Sequence, residues 1–130
     1  MHLESNSEQF ALDGLNEAIR LAHQTACDAG WYCDPATGEP KQRNFGEVVA
    51  LMHSELSEAL EADRKGLMSD KLPGFSGVEE EFADAIIRIF DTAAALNLRL
   101  AEAVIMKNRF NRQRADHKLE NRAKEGGKRY

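Results

Sequence analysis

Four carboxylates stand at spacings that invite hard-ion chemistry. Glu55 and Glu58 are three residues apart, as are Glu81 and Asp84, and both pairs fall in segments of helical period. Helix positions advance roughly 100° per residue. On the earlier segment Phe45, Val48, Val49, Met52, Leu56, Ala59 and Leu60 occupy one arc, which Leu51 and Ala62 extend, and Glu55 and Glu58 fall inside that extended arc. On the later one, Ala83, Ile87, Phe90 and Ala94 lie opposite Phe82, Ala85, Ile86 and Ile89, so the helix is apolar nearly all round and belongs at the centre of a fold. Its exception is a stripe of Glu81, Asp84, Arg88 and Asp91. If the two helices pack together, all four acids converge.

Such convergence is costly without a partner. Two like charges about 4 Å apart repel by roughly 4 kcal/mol at an effective dielectric near 20. Four beside an apolar core must take up protons or hold a cation. An all-oxygen set with no nearby Cys or His favours Mg²⁺, with Mn²⁺ as a substitute, over zinc. Magnesium commonly keeps positions for water and substrate phosphate, which points to phosphate chemistry. Either pair alone reads more readily as a solvated helix face; two pairs intruding on apolar arcs argue for a site. Arg88 reads as a structural partner of Asp84 and Asp91 in an ion-pair row.

The elements that must position these residues follow from glycine and proline punctuation. Such residues cluster over Gly30–Pro40 and Gly66–Gly77, and no segment alternates as a strand would. Helices are expected from about Glu8 to Ala29, from Asn44 as N-cap to Lys65, from Val78 to Leu96 with Ser76 and Glu79 as a capping box, and from Leu98 to Arg114 after a break at Asn97. Residues 115–130 read as a polar basic tail. The expectation is all-α: one domain over residues 1–130, a four-helix bundle-type protomer.

Around the acids, two further groups are candidates. Lys107, Asn111 and Arg114 share a face of the fourth helix with Leu100, Ala103 and Val104. They read either as a cationic rim for phosphate oxygens or as a solvated basic helix end. Trp31 and Tyr32 sit beside the turn-rich segment Asp34–Gly38. An indole there either stacks on a base or packs in the core. Asn44 either caps the second helix or reaches a base or sugar.

Composition limits the alternatives. The chain has 130 residues, 42% hydrophobic and 30% charged, which fits a packed globular domain. No apolar run reaches the roughly 18 residues of a membrane span, and MHLESNSEQF lacks the basic start of a secretory signal. Cys27 and Cys33 are too few for a disulfide framework, and His23 and Cys27, four residues apart, lack further zinc ligands. A cytoplasmic protein with reduced thiols is expected. Net charge is -5; residues 112–130 carry +4 and the rest -9. An acidic body argues against nucleic acid as a partner unless the tail acts alone. Phosphate-binding glycine loops and nucleophile elbows are missing. A di-iron bundle would need Glu-x-x-His, which none of the four histidines supplies. The remaining rival is a non-catalytic helical interaction module whose basic tail binds nucleic acid or an acidic partner; it leaves the inward acids unexplained.

The segments HSELSEALEADRKG, EEEFADAIIRIFD and KNRFNRQR together resemble the MazG-like all-α nucleoside triphosphate pyrophosphohydrolases, the superfamily that includes dimeric dUTPases and dCTP pyrophosphatases. The resemblance covers roughly residues 30–130. The family's Glu-Glu-x-x-Glu and Glu-x-x-Asp motifs bind Mg²⁺, and Glu55, Glu58, Glu81 and Asp84 match them, whereas Ser54 stands at the first glutamate. Lys107, Asn111 and Arg114 match the family's downstream phosphate-binding residues. The resemblance implies cleavage of a nucleoside triphosphate to its monophosphate and pyrophosphate, a nucleotide-pool housecleaning role, and assembly as a homodimer or homotetramer.

Overall fold

A computed structural model describes residues 1–114 and 118–130. Among them the elements are all helices: α1 (Asn6–Asp28), α2 (Phe45–Lys65), α3 (Gly77–Ala95), α4 (Leu100–Gln113) and a single turn, α5 (Leu119–Arg122). The four expected helices are present with ends within two residues of those read from the sequence. The expected tail differs. It contains α5, and Arg122 donates to the carbonyls of Lys128 and Arg129 at 3.1 and 2.9 Å, folding the chain end onto that turn. Ala115–His117 of that tail lie outside the described residues. No helix among the described residues is long and apolar enough to cross a membrane.

Two compact units divide the chain: Glu17–Leu98, and Met1–Asn16 with Arg99–Tyr130. In the latter, Glu8 is buried and accepts from Arg109 Nη2 at 2.7 Å. The Arg109 hydrogen bond, followed by one from the Glu4 backbone, holds the Glu8 carboxyl below its ordinary range.

The larger unit carries the first set of acids. Its helix ends follow the sequence signals. Asn44 accepts from Glu47 N at 3.0 Å, and Ser76 with Glu79 forms the reciprocal capping box. Gly66 closes α2 in the left-handed region (φ 62°) and donates to the Ala62 and Asp63 carbonyls, a conformation a β-carbon would strain.

α2 packs on α3, and the buried residues of the two helices include small ones, Ala59 and Ala62 on α2 and Gly77 and Ala85 on α3. Short side chains at a helix crossing let the axes approach closely. At Gly77 a β-carbon would lie 2.9 Å from Ala62 Cβ and 3.1 Å from the Leu67 carbonyl oxygen. Gly77→Ala is therefore expected to destabilise, the steric cost of about 1–3 kcal/mol outweighing a helix-propensity gain of about 0.5–1 kcal/mol. Thermal melting should show a fall of a few degrees; an unchanged or raised midpoint would contradict the close crossing.

The buried arc is not the one the hydrophobic pattern suggests. On α2 it runs through Val48, Glu55, Ala59 and Ala62. Phe45, Leu56 and Leu60, assigned to the main stripe, are 60%, 52% and 63% exposed. On α3, Phe82, Ile86, Ile87 and Ile89 are likewise exposed, so the helix is not enclosed within the protomer as its apolar girth suggests. The cause is tertiary: the close α2–α3 crossing admits small residues and the acids, and the large side chains lie outside it.

Candidate functional site

The close crossing sets the geometry of the acids. Glu55 shares its stripe with Ala59 and Ala62, one and two turns on; Glu81 lies between Gly77 and Ala85 at intervals of four. Glu55, Glu81 and Asp84 each present a carboxylate oxygen within 4.8 Å of the others. Glu55 is 6% exposed. Glu58 is exposed and outside this tight trio, but it lines the same cavity of about 550 Å³ with Glu55, Glu81, Asp84 and Trp31. Ser54, beside Glu55 in the chain, is exposed and donates its hydroxyl back to the Leu51 carbonyl at 2.7 Å.

Crowding perturbs all three acids in the trio. Burial, then a hydrogen bond shared with Glu55, then the charges of Glu58 and Glu55 push the Glu81 carboxyl up to about 7. Burial and the Glu55 charge raise Asp84 as well. Burial also pushes Glu55 upward, but hydrogen bonds from Arg88, Glu81 and Glu58 outweigh it and leave Glu55 below its ordinary value. In the trio Glu81 is thus the acid that retains a proton near neutrality, and Glu55 the one that stays ionised.

Arg88 departs from the expected ion-pair row. Its Nε donates to Glu55 Oε1 across the helix pair at 2.7 Å. Asp91 is served from elsewhere: Tyr32 Oη donates at 2.8 Å, His23 Nδ1 lies 2.9 Å away and Arg43 Nη1 3.8 Å away. Asp91 is buried and accepts from α1 and from the α1–α2 loop together. Burial, then the Asp91 hydrogen bond, raises the Tyr32 hydroxyl to about 12, so it remains a donor across the working pH range. The place of Asp91 in the polar stripe of an otherwise apolar helix is the one trace of this hub in the sequence. Cys27 and Cys33 are exposed free thiols, with Cys27 Sγ 3.5 Å from His23 Nε2.

Trp31 is 62% exposed and lines the cavity, so it is not the core residue that a lone tryptophan suggests. The Arg43 guanidinium lies 5.7 Å from its ring centroid. Asn44 serves as the α2 cap and is absent from the cavity lining. Lys107 and Asn111 line a shallow depression on α4. There the Lys107 ammonium lies 4.6 Å from the Phe110 ring centroid, and Asn111 buries its Oδ1 without a hydrogen-bond partner among the described residues. Arg114 ends α4 as its C-cap.

Three cations line the cavity, Arg43, Lys71 and Arg88, and of these Arg88 alone has a signal in the sequence, as a partner for the stripe acids. Two are loop residues, on which helical periodicity is silent. The chain matches no known protein family, no curated protein and no solved structure.

Proposed function

We propose that the chain is a Mg²⁺-dependent nucleoside triphosphate pyrophosphohydrolase of the MazG-like type, acting in cytoplasmic nucleotide-pool housecleaning. The observation that carries this reading is the trio Glu55, Glu81 and Asp84, three carboxylates brought together beside a cavity that also holds an exposed indole. The donor set is all oxygen and anionic, which fits a hard divalent cation. Glu55, Glu81 and Asp84 would hold it, with Glu58 at the cavity wall as a further ligand. When bound, such an ion supplies positive charge against the oxygens of a phosphate chain.

The chain's own residues account for the rest of the reaction. A water attacks the α-phosphorus, the bond from that phosphorus to the bridging α–β oxygen breaks, and pyrophosphate leaves. A carboxylate of the cluster takes the water's proton as general base. Arg88 holds Glu55 in place. Trp31 offers its ring to the base, while Lys107, Asn111 and Arg114 are assigned to the phosphates by the sequence resemblance alone. The exposed Leu56, Leu60, Phe82 and Ile86 support assembly with further copies of the chain, as a homodimer or homotetramer.

The test is a panel of ribo- and deoxyribonucleoside triphosphates with Mg²⁺, assayed separately for pyrophosphate and orthophosphate. Pyrophosphate release from at least one member is expected. Silence over the whole panel, or orthophosphate alone, overturns the reading. On the active nucleotide Trp31→Ala should raise KM by about fivefold or more, since base stacking contributes roughly 1–3 kcal/mol, with a smaller change in kcat. An unchanged KM would remove Trp31 from the base site.

A further inference from the structure

Three cations line the acidic cavity, and they differ in how they are engaged. Arg88 is hydrogen-bonded to Glu55, and Arg43 lies between Asp91 and the Trp31 ring. Lys71 stands apart. Its side chain is 73% exposed, and its ammonium lies 3.1 Å from a single carboxylate oxygen, Glu80 Oε1. An ammonium has three donors, so two remain to be directed elsewhere.

The backbone under Lys71 is nevertheless fixed. Ser69 donates its hydroxyl to the other oxygen of buried Glu80 and accepts from the backbone N–H groups of Lys71 and Leu72 at 3.2 and 2.8 Å. Ser69 N donates to the Phe75 carbonyl at 2.9 Å, and Met68 pairs with Ser76 across the base of the loop. Glu80 thus pins the α2–α3 loop through Ser69 and holds the lysine head through its second oxygen. With the lysine partner exposed, solvent screens this ion pair, and it adds little to stability. Its effect is to keep a cation at the wall of the cavity.

We infer that Lys71 is a phosphate-binding residue of this cavity, its ammonium pivoting on Glu80 to contact the terminal oxygens of a polyphosphate whose inner oxygens face the carboxylate trio. The inference builds on the proposed triphosphate substrate and adds a contact carried by the α2–α3 loop. A lysine suits that place: its compact, strongly hydrated charge on a flexible stem follows a terminal phosphate without demanding one planar geometry.

Inorganic pyrophosphate with Mg²⁺ is the probe, titrated calorimetrically into the full chain. Lys71→Met should weaken pyrophosphate binding about tenfold or more, and Lys71→Arg should retain most of the affinity. The Mg²⁺-induced rise in melting temperature without pyrophosphate should survive in both variants. Equal pyrophosphate affinity in wild type and Lys71→Met, or no binding by wild type, overturns the inference. Lys71-dependent pyrophosphate binding together with a silent nucleotide panel would instead sink the hydrolase reading and leave this one standing.

Discussion

Glu81→Ala should lose pyrophosphate release by on the order of a hundredfold or more, with melting in the absence of metal unchanged or slightly improved. The two outcomes belong together. Glu81 sits among Glu55, Glu58 and Glu80, whose charges all push its carboxyl upward. Without a cation it is a burden to the fold, and its removal relieves repulsion. In the proposed reaction the same carboxylate would be a metal ligand, and the Gly77–Ala85 stripe holds no other acid to replace it. Glu58→Ala should likewise remove most of the activity. An active Glu81→Ala would separate the cluster from the chemistry. A Glu81→Ala that fails to fold would overturn the view that Glu81 is tolerated rather than required.

The second large effect is a pH dependence whose sign reverses with magnesium. In the metal-free protein Glu81 titrates at about 7, against an ordinary value of 4.5. Between those values the folded chain keeps a proton that the unfolded chain has released, so this contribution to stability is fully present below about pH 4.5 and is lost as pH rises through about 7. The raised Asp84 carboxyl acts with the same sign. Mg²⁺ requires both groups ionised, so its stabilisation should grow over the same interval. At a hundred times its dissociation constant a ligand contributes about 2.7 kcal/mol, a shift on the order of 10 °C for a domain of this size. Melting curves at pH 6 and pH 8, with and without Mg²⁺, read both signs. A magnesium shift of equal size at the two pH values would contradict the assignment, as would its persistence in the double variant Glu55→Gln, Asp84→Asn.

Much of this arrangement is legible in the chain because caps and helix periods are local. Asn44, Gly66, Ser76 and Glu79 mark the ends of α2 and α3 without any knowledge of what those helices touch. The pairing of the acids is legible for the same reason: i, i+3 spacing fixes them to one face whatever the surroundings. Which face turns inward is not local. Leucine, isoleucine and phenylalanine are the large residues of the apolar arcs, yet alanines and a glycine occupy the crossing, because a close approach selects side chains by size as well as by polarity. Lys71 and Arg43 escape the period argument altogether, as their positions are set by loop hydrogen bonds to Ser69 and by contacts with Asp91 and Trp31. Arg88 was legible as a partner for an acid, but the partner lies on the other helix.

Asp91 carries a consequence for how the chain tolerates change. One carboxylate serves Tyr32, His23 and Arg43, so replacing any one of the three loses a single contact, about 1.5–3 kcal/mol for a hydrogen bond to a charged acceptor. Replacement of the acceptor strands several donors at once. Sequence drift around this hub is therefore lopsided: its spokes are free to vary one at a time, while the centre is pinned by all of them together.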